Sequence, residues 1–210
     1  MTLAFLWLHK VSSMRIVEIT GIDNKTLQHY IKKFQLIIAT SLNNEDTIIG
    51  GPGIEVQLDE SKFGRRKYEK GHRVEGVWVF GGVENTVERK VFLKVVQDRT
   101  KETLEAIIKR HVKAGSIIVT DGWKGYFGVG EMKEYTHHWV NHSLNFVDPE
   151  SRIHTNSIEG TWFGVKQQVS HRQRTAVLIE EKLIEFIWRR LHKNNVWDSF
   201  VNAMRITHIE

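Results

Sequence analysis

The spacing of apolar residues changes along the chain, and the N-terminal part has a helical period. In residues 27–34, apolar side chains recur at steps of three and four, as on one face of an amphipathic helix. Gly21 ends an earlier apolar run, and Asp23 or Asn24 is placed to cap the helix that follows. Helix, glycine-containing turn and capped helix form the outline of a helix-turn-helix.

The stretch from residue 36 to residue 53 is predicted to be a linker, because it is polar and then rich in glycine, with one of only two prolines. We therefore expect a partial helix-turn-helix-like segment with its linker in residues 1–50 and a second domain in residues 51–210. Two helices joined by a turn are common. DNA binding through Lys25 and Lys32 and plain helical packing therefore stay equally open for the first segment.

After the linker the period changes to that of strands. Residues 54–60 alternate, which places apolar side chains on one strand face and polar ones, including Gln57 and Asp59, on the other. Two more strand-like runs, 74–83 and 90–98, follow across a charged turn. These three runs predict an antiparallel three-stranded meander.

The rest of the chain alternates between helix and strand patterns. Residues 101–115 predict an amphipathic helix that ends at Gly115, and SIIVTDGW, residues 116–123, predicts a strand buried on both faces, as in a parallel sheet. Residues 154–166 and a final stretch around residues 183–191 predict helices. This order is typical of an α/β fold with a mixed central sheet flanked by helices.

Composition narrows the class of protein. Of the 210 residues, 40% are hydrophobic and 26% are charged, which is typical of a globular protein, and the net charge of +5 favours a polyanionic partner such as nucleic acid. The absence of cysteine excludes disulfides and Cys-ligated zinc and fits an intracellular protein. The apolar start MTLAFLWL is too short to span a bilayer, so no membrane association is expected.

Three acidic residues are candidates for chemistry. Asp59 lies on the polar face of the first strand, and Asp121 ends the buried strand. If those strands are neighbours, the two carboxylates meet at one end of the sheet, and Glu159 on a nearby helix completes a cluster. Three carboxylates repel one another unless a cation neutralises them, and hard oxygen ligands select Mg²⁺ or Mn²⁺. Each acid alone is weak evidence, because most such residues are solvated or cap an element.

Five ordered stretches carry a resemblance to a known family. They are LDESKFGRRKYEKGHRVEGVWVFGGVE, VVQDRTKETL, IIVTDGWKGY, VNHSLNFVDP and HTNSIEGTWFGVK. Together they resemble the DDE transposases of the Merlin superfamily and their bacterial insertion-sequence relatives, from about Gly51 to Lys193. The resemblance implies an RNase H-like core that cuts and joins DNA with divalent metal, as two ions of Mg²⁺ or Mn²⁺. Its three catalytic, metal-binding acids match Asp59, Asp121 and Glu159.

The resemblance also gives roles to two helix residues near the third acid. Glu159 and Lys166 are close to two full helical turns apart and share one helix face. In the family a basic residue at this position faces the DNA, so Lys166 is expected to contact a phosphate; the alternative is a solvated lysine. Asn156, one turn before Glu159, is expected to support that acid or a water bound to metal.

Other residues have two interpretations. The basic stretch 64–73 is either a solvated face or a surface that binds the DNA backbone. Its candidate contacts are Arg65, Arg66, Lys67, Lys70 and Arg73. His137, His138 and His142 are expected to bond the sheet edge or touch DNA rather than bind zinc, because they lack helical spacing and a cysteine partner. Glu60 is expected on the strand face opposite Asp59, in a structural role. Four tryptophans are interpreted as core aromatics: Trp78, Trp123, Trp162 and Trp188.

Three functions follow as hypotheses. The leading one is a DDE transposase, a polynucleotidyl transferase that cleaves DNA at element ends and transfers the strands to target DNA, as a homo-oligomer on the DNA. The second is a domesticated or decayed transposase that binds DNA without catalysis; it is favoured by the missing cysteine-containing zinc ribbon of many relatives and by a start that resembles a truncated copy. The third is an RNase H-like nuclease acting on RNA. The compartment is the nucleus in a eukaryote or the cytoplasm in a bacterium.

Overall fold

The computed structural model describes residues 1–64, 76–140, 154–170 and 173–207. The chain divides into two compact units, each with its own core. The first consists of Met1–Asn43 with Trp188–Glu210, and the second is Asn44–Ile187. No helix in the described part of the chain is long and apolar enough to cross a bilayer.

The first unit is helical and begins with α1 (Thr2–Leu8), α2 (Ser13–Thr20) and α3 (Asn24–Ser41). Gly21 ends α2 in the left-handed conformation, with φ 69°, which glycine adopts without steric cost. The Asp23 carboxylate accepts the backbone N–H of Thr26 at 3.0 Å and so caps α3. The predicted helix, glycine turn and capped helix are confirmed.

Helix α3 is longer than the sequence predicts. It continues to Ser41, so the prediction of a linker from residue 36 onwards is wrong for its first part. Ile37 and Ile38 are buried and hold this last part of the helix in the core of the unit. The sequence beyond it contains a 3₁₀ segment, Asn44–Thr47.

The C-terminal residues belong to the same core as the N-terminal helices. A helix that the sequence analysis does not predict, α7 (Val196–Ile206), follows the residues around Trp188. Residues from Trp188 onwards, which the sequence analysis assigns to the second domain, pack in this unit. Its core consists of Ala4, Trp7, Leu8, Ile16, Leu27, Phe34, Ile37, Ile38, Trp188, Phe200 and Ala203.

The second unit is built around a five-stranded sheet. Its strands are β1 (Glu55–Phe63), β2 (Val77–Glu84), β3 (Val91–Val96), β4 (Ile117–Asp121) and β5 (Thr136–Val140). Their order in the sheet is β3-β2-β1-β4-β5. Strands β1, β2 and β3 are antiparallel neighbours, whereas β4 is parallel to both β1 and β5. The predicted antiparallel meander and the predicted central parallel strand are both confirmed.

Helical elements cover both faces of the sheet. On one face, α4 (Lys101–His111) and a 3₁₀ segment, Lys124–Glu131, pack on the apolar side of β1 around Val56 and Leu58. On the other face lies α5 (Asn156–Gln168), against the polar side of β1. The long helix α6 (Ala176–Leu191) follows. The fold class predicted from the sequence, an α/β mixed sheet flanked by helices with an N-terminal helical segment, is confirmed.

One predicted helix boundary is wrong. Helix α4 ends at His111, because Val112 already has an extended backbone with φ −114°. Gly115 lies beyond the helix, in the turn that leads to β4. There it adopts φ 82°, and a Cβ atom would lie 3.0 Å from the Cα of Pro52. Glycine is therefore required by the turn rather than by the end of the helix.

Candidate active site

Two of the three predicted acids lie at the same level of adjacent strands. In the parallel pair β1 and β4, Gln57 is the register partner of Val119. Two residues further along each strand are Asp59 and Asp121, with side chains on the face that α5 covers. The strand alternation and the parallel pairing therefore bring these two carboxylates to one edge of the sheet.

The N-terminus of α5 is fixed to β1 by a glutamine. The Gln57 side-chain oxygen accepts the backbone N–H groups of Ser157 and Ile158, at 2.9 and 3.2 Å. Thr155, at the usual capping position, makes no side-chain cap. Gln57 is fully buried, so this cap from another element satisfies two first-turn amides that water does not reach. It sets the position of α5 along the strand.

A second contact fixes the same helix one turn further on. The indole Nε1–H of Trp162 donates to the Asp59 carboxylate at 2.9 Å. The Trp162 ring is 4% exposed and packs edge-on against Phe63, with ring centroids 6.0 Å apart. Because Glu159 lies between the two attachment points of α5, its turn of helix is held beside β1.

The charges of the acids influence one another. Burial raises the pKa of Asp59 from 3.8 to about 6, and the negative charges of Asp121 and Glu159 add to the rise. The Trp162 hydrogen bond and a backbone hydrogen bond from Glu60 lower the pKa and offset part of this rise. Proximity of like charges disfavours ionisation, whereas a bound cation would favour it.

Each of the three acids has one oxygen engaged by a neighbouring donor. Besides the Trp162 bond to Asp59, the Asp121 carboxylate accepts the Trp123 backbone N–H at 3.0 Å. The Glu159 carboxylate accepts the Thr155 hydroxyl at 3.1 Å. Within the residues that the structure describes, no three Asp, Glu, His or Cys side chains converge closely enough to hold a metal ion. The acids are near one another without forming a closed cluster.

The two other predicted residues of α5 are exposed. Asn156 is the first residue of the helix, and Lys166 lies in its last turn. The Lys166 ammonium is 5.7 Å from the centroid of the Phe63 ring. Glu159 is exposed as well, so this acid and Lys166 both reach the solvent-facing side of the helix.

Glu60 occupies the opposite face of β1, as expected from the alternation. Burial raises its pKa to about 7, and the charge of Asp59 adds to the rise. Its Oε1 atom and the Tyr126 hydroxyl are both buried and have no hydrogen-bond partner of good geometry. The Tyr126 hydroxyl is nevertheless close enough to oppose part of the rise in the Glu60 pKa.

The predicted histidines and basic residues are only partly described. His137 lies on β5 with its Nε2 atom 3.0 Å from the Thr120 hydroxyl, and His138 is exposed. His142 falls outside the described residues, as do five candidate DNA contacts: Arg65, Arg66, Lys67, Lys70 and Arg73. Lys25 and Lys32 are exposed on α3 of the first unit.

Two of the residues that organise this site are not evident from the sequence. Gln57 looks like an ordinary polar residue of an alternating strand, and the sequence pattern of Trp162 indicates only a core aromatic. Trp162 is indeed buried, as is Trp188, whereas Trp78 and Trp123 are only partly buried. The one available signal is the placement of Gln57 two residues before Asp59, on the same strand face.

The family profile of the ISXO2-like transposase domain matches residues 44–190, well over half of the chain. This chain therefore belongs to the ISXO2-like transposase family. The second unit, which contains nearly all of the matched residues, is thus a transposase domain.

One curated protein and two solved structures are similar to this chain to different degrees. The chain is 34% identical over 80 residues to an uncharacterized transposase-like protein of Haemophilus influenzae; the match spans 38% of this chain and 63% of the relative's length. Two solved structures share 12% identity with it. The catalytic core domain of BIV integrase gives a TM-score of 0.42, over 72% of this chain and 95% of that one. A pre-cleavage Mos1 transpososome gives 0.31, over 99% and 78%.

Proposed function

We propose that this protein cleaves DNA strands and transfers them to target DNA, with Asp59, Asp121 and Glu159 as the ligands of divalent metal. The observation that carries the proposal is that Asp59 and Asp121 occupy equivalent positions on adjacent parallel strands. The double attachment of α5 to β1 supports the inclusion of Glu159. Membership of the transposase family supports the choice of DNA as substrate.

The residues present fit a hard divalent cation. All three side chains offer carboxylate oxygens, and the like charges of Asp121 and Glu159 raise the pKa of Asp59, which is the repulsion that a cation relieves. When bound, Mg²⁺ or Mn²⁺, in one or two ions, would stabilise the charge that develops on the transferred phosphoryl group. The donors Trp162 and Trp123 hold the carboxylates of Asp59 and Asp121 in place.

Basic residues would hold the DNA. Lys166, on the same exposed side of α5 as Glu159, would pair with a phosphate next to the cleaved bond as a point charge. Asn156, one turn before Glu159, would orient that acid by hydrogen bonding. Lys25 and Lys32 of α3, together with the basic stretch 64–73, would contribute backbone contacts that carry no sequence information.

Metal titration is the first test. Calorimetry with Mn²⁺ on the full chain, with a DNA duplex present, is compared between the native protein and the double variant Asp59→Asn/Asp121→Asn. We expect binding to the native protein and its loss in the double variant. Glu181→Gln, which changes an exposed acid of α6, is the matched control and should bind as the native protein does. An unchanged titration in the double variant would overturn the metal assignment.

Cleavage is the second test. Mn²⁺-dependent nicking of supercoiled plasmid should fall by about a hundredfold or more in Asp121→Asn and in Glu159→Gln, because several kcal/mol of charge stabilisation are lost. Full activity of Asp121→Asn would contradict the proposal. Salt-sensitive DNA binding that ignores metal and the acids would instead identify a DNA-binding protein without catalysis. Faster cleavage of an RNA–DNA hybrid than of duplex DNA would identify an RNase H-like nuclease.

A further inference from the structure

An arginine lies between two tryptophans at the same edge of the sheet as the acids. The guanidinium carbon of Arg99 is 3.7 Å from the centroid of the Trp78 ring and 4.8 Å from that of Trp123. Both indoles are partly buried and pack against the core of the second unit. Stacking on two indoles attracts a planar cation and restricts its orientation.

The Arg99 guanidinium makes no hydrogen bond and no close ion pair in the described parts of the chain, although its positive charge lowers the pKa of Glu60 and so opposes part of the rise caused by burial. The preceding residue, Asp98, is engaged elsewhere, because its carboxylate accepts hydrogen bonds from Thr100 and Thr103. Among the described residues, no acceptor therefore occupies the donors of the Arg99 fork.

The position of Arg99 relates it directly to the predicted acids. Trp123, on which it stacks, donates its backbone N–H to the Asp121 carboxylate. Strands β1, β3 and β4 point the same way and end at this edge, and Arg99 follows β3. The exposed Lys62, near the end of β1, places its ammonium 5.3 Å from the centroid of the same Trp78 ring. Two cations thus share one indole near the acids.

We propose that Arg99, with Lys62 beside it, forms a binding site for a phosphate of the DNA backbone at the same end of the sheet as Asp59 and Asp121. The inference rests on the proposed function, since it takes DNA as the ligand. A guanidinium binds two phosphate oxygens in a fork, and its orientation between the indoles is set before the ligand arrives. The site lies on the sheet face opposite α5, so it holds a different part of the strand from the one that Lys166 would contact.

The alternative is that Arg99 only joins β2 to the segment after β4 through its stacked rings. This structural role would require the cation for stability and not for ligand binding. The two roles differ in one observable quantity. A phosphate contact releases counterions, so its loss lowers the dependence of DNA affinity on salt, whereas a packing contact does not affect that slope.

The experiment measures the affinity of the full chain for a DNA duplex over a range of salt concentrations, without divalent metal. For Arg99→Gln we expect affinity to fall about tenfold at low salt, and the logarithmic salt slope to decrease by about 1. Arg99→Lys keeps the charge and loses the fork, so its affinity should lie between the two. Arg110→Gln, which changes an exposed arginine of α4, is the matched control and should keep the native slope.

Lys62→Gln is a second variant that tests the same site if Arg99→Gln does not fold. The Lys62 side chain is exposed, so this change should not disturb folding. A slope reduced by about 1 in this variant supports the site. Native affinity and slope in both Arg99→Gln and Lys62→Gln overturn the inference, as does weaker binding with an unchanged slope. If the native protein itself binds DNA without salt dependence, the proposed function fails instead. If metal binding requires Asp59 and Asp121 but Arg99→Gln and Lys62→Gln both keep the native slope, the phosphate site is rejected and the proposed function stands.

Discussion

The indole of Trp162 donates a hydrogen bond of 2.9 Å to the carboxylate of Asp59, and this bond joins α5 to β1 directly at the first predicted acid. The Trp162 ring is nearly inaccessible to solvent, and the Asp59 carboxylate that accepts its hydrogen bond is partly buried. Glu159 precedes Trp162 by one helical turn. The same contact that orients Asp59 therefore also sets the distance between the first and third acids.

Trp162→Phe tests this contact, because it keeps an aromatic ring and removes the donor. We expect the free energy of unfolding to fall by about 1–2 kcal/mol, since the partly buried Asp59 carboxylate loses a hydrogen-bond donor. We also expect the Asp59 pKa to rise further, because the hydrogen bond that lowers it is gone. The pH dependence of Mn²⁺ binding should then shift to higher pH, measured by calorimetry in a series of buffers.

The chain offers a matched control in the first unit. The Trp188 indole donates to the Ser41 hydroxyl at 3.1 Å, and its ring is equally inaccessible. Trp188→Phe should therefore lower stability by a similar amount and leave the pH dependence of Mn²⁺ binding unchanged. A shift of the same size in both variants would show that loss of stability, rather than the bond to Asp59, causes it.

Gln57 should control the placement of Glu159. Gln57→Leu removes the acceptor of the Ser157 and Ile158 amides, and we expect these amides to exchange hydrogen faster even without metal. We expect Mn²⁺ affinity and nicking to fall by about 10–100-fold, the usual effect of losing a residue that orients a ligand. Gln57→Glu keeps an acceptor at the helix N-terminus, which favours negative charge, so it should retain slow exchange. Fast exchange in both variants would contradict the capping role.

Stability of the metal-free protein should fall as pH rises. Asp59 and Glu60 have folded-state pKa values of about 6 and about 7, above their ordinary values of 3.8 and 4.5. The folded chain therefore binds protons more tightly than the unfolded chain, and stability is lost between about pH 4 and about pH 7. Asp59→Asn should flatten part of this fall and be more stable than the native protein above pH 7. Urea unfolding in the presence of a chelator measures the free energy of unfolding at each pH. Parallel pH curves for the native protein and Asp59→Asn would contradict the prediction.

Lys166→Ala should weaken DNA binding through charge alone. The side chain is exposed, so the variant should unfold at the native temperature, and the salt slope of DNA affinity should decrease by about 1. Lys109→Ala, an exposed lysine of α4, provides the control for general loss of charge. An equal change in both variants would indicate diffuse attraction rather than a contact at the acidic edge.

Much of the sheet was predictable because its strands have clear patterns. Alternation in β1 placed Val56 with Leu58 and Gln57 with Asp59 correctly, and the unbroken apolar run of β4 indicated its central, parallel position. The edge strand β5 was not predicted. Its sequence, THHWV, is polar and largely exposed, so it has neither the alternation nor the apolar run of a strand.

The partners of the candidate site were beyond sequence reasoning. A strand pattern shows which side chains share a face, but not which helix covers that face. Gln57 therefore could not be recognised as the cap of a helix that begins far along the chain at Asn156. Similarly, the polar stretch after α3 concealed the burial of Ile37 and Ile38, because tertiary packing overrides local composition.

The order of the strands also determines when the acidic edge can form during synthesis. Strand β1 first pairs with β2, its neighbour along the chain, whereas its other neighbour, β4, is made only after β3 and α4. A nascent chain that has left the ribosome as far as α4 holds Asp59 without Asp121, and the helix that bears Glu159 comes later still. The late, long-range pairing of β1 with β4 thus keeps a partly made protein from having the complete set of acids that is proposed to bind metal.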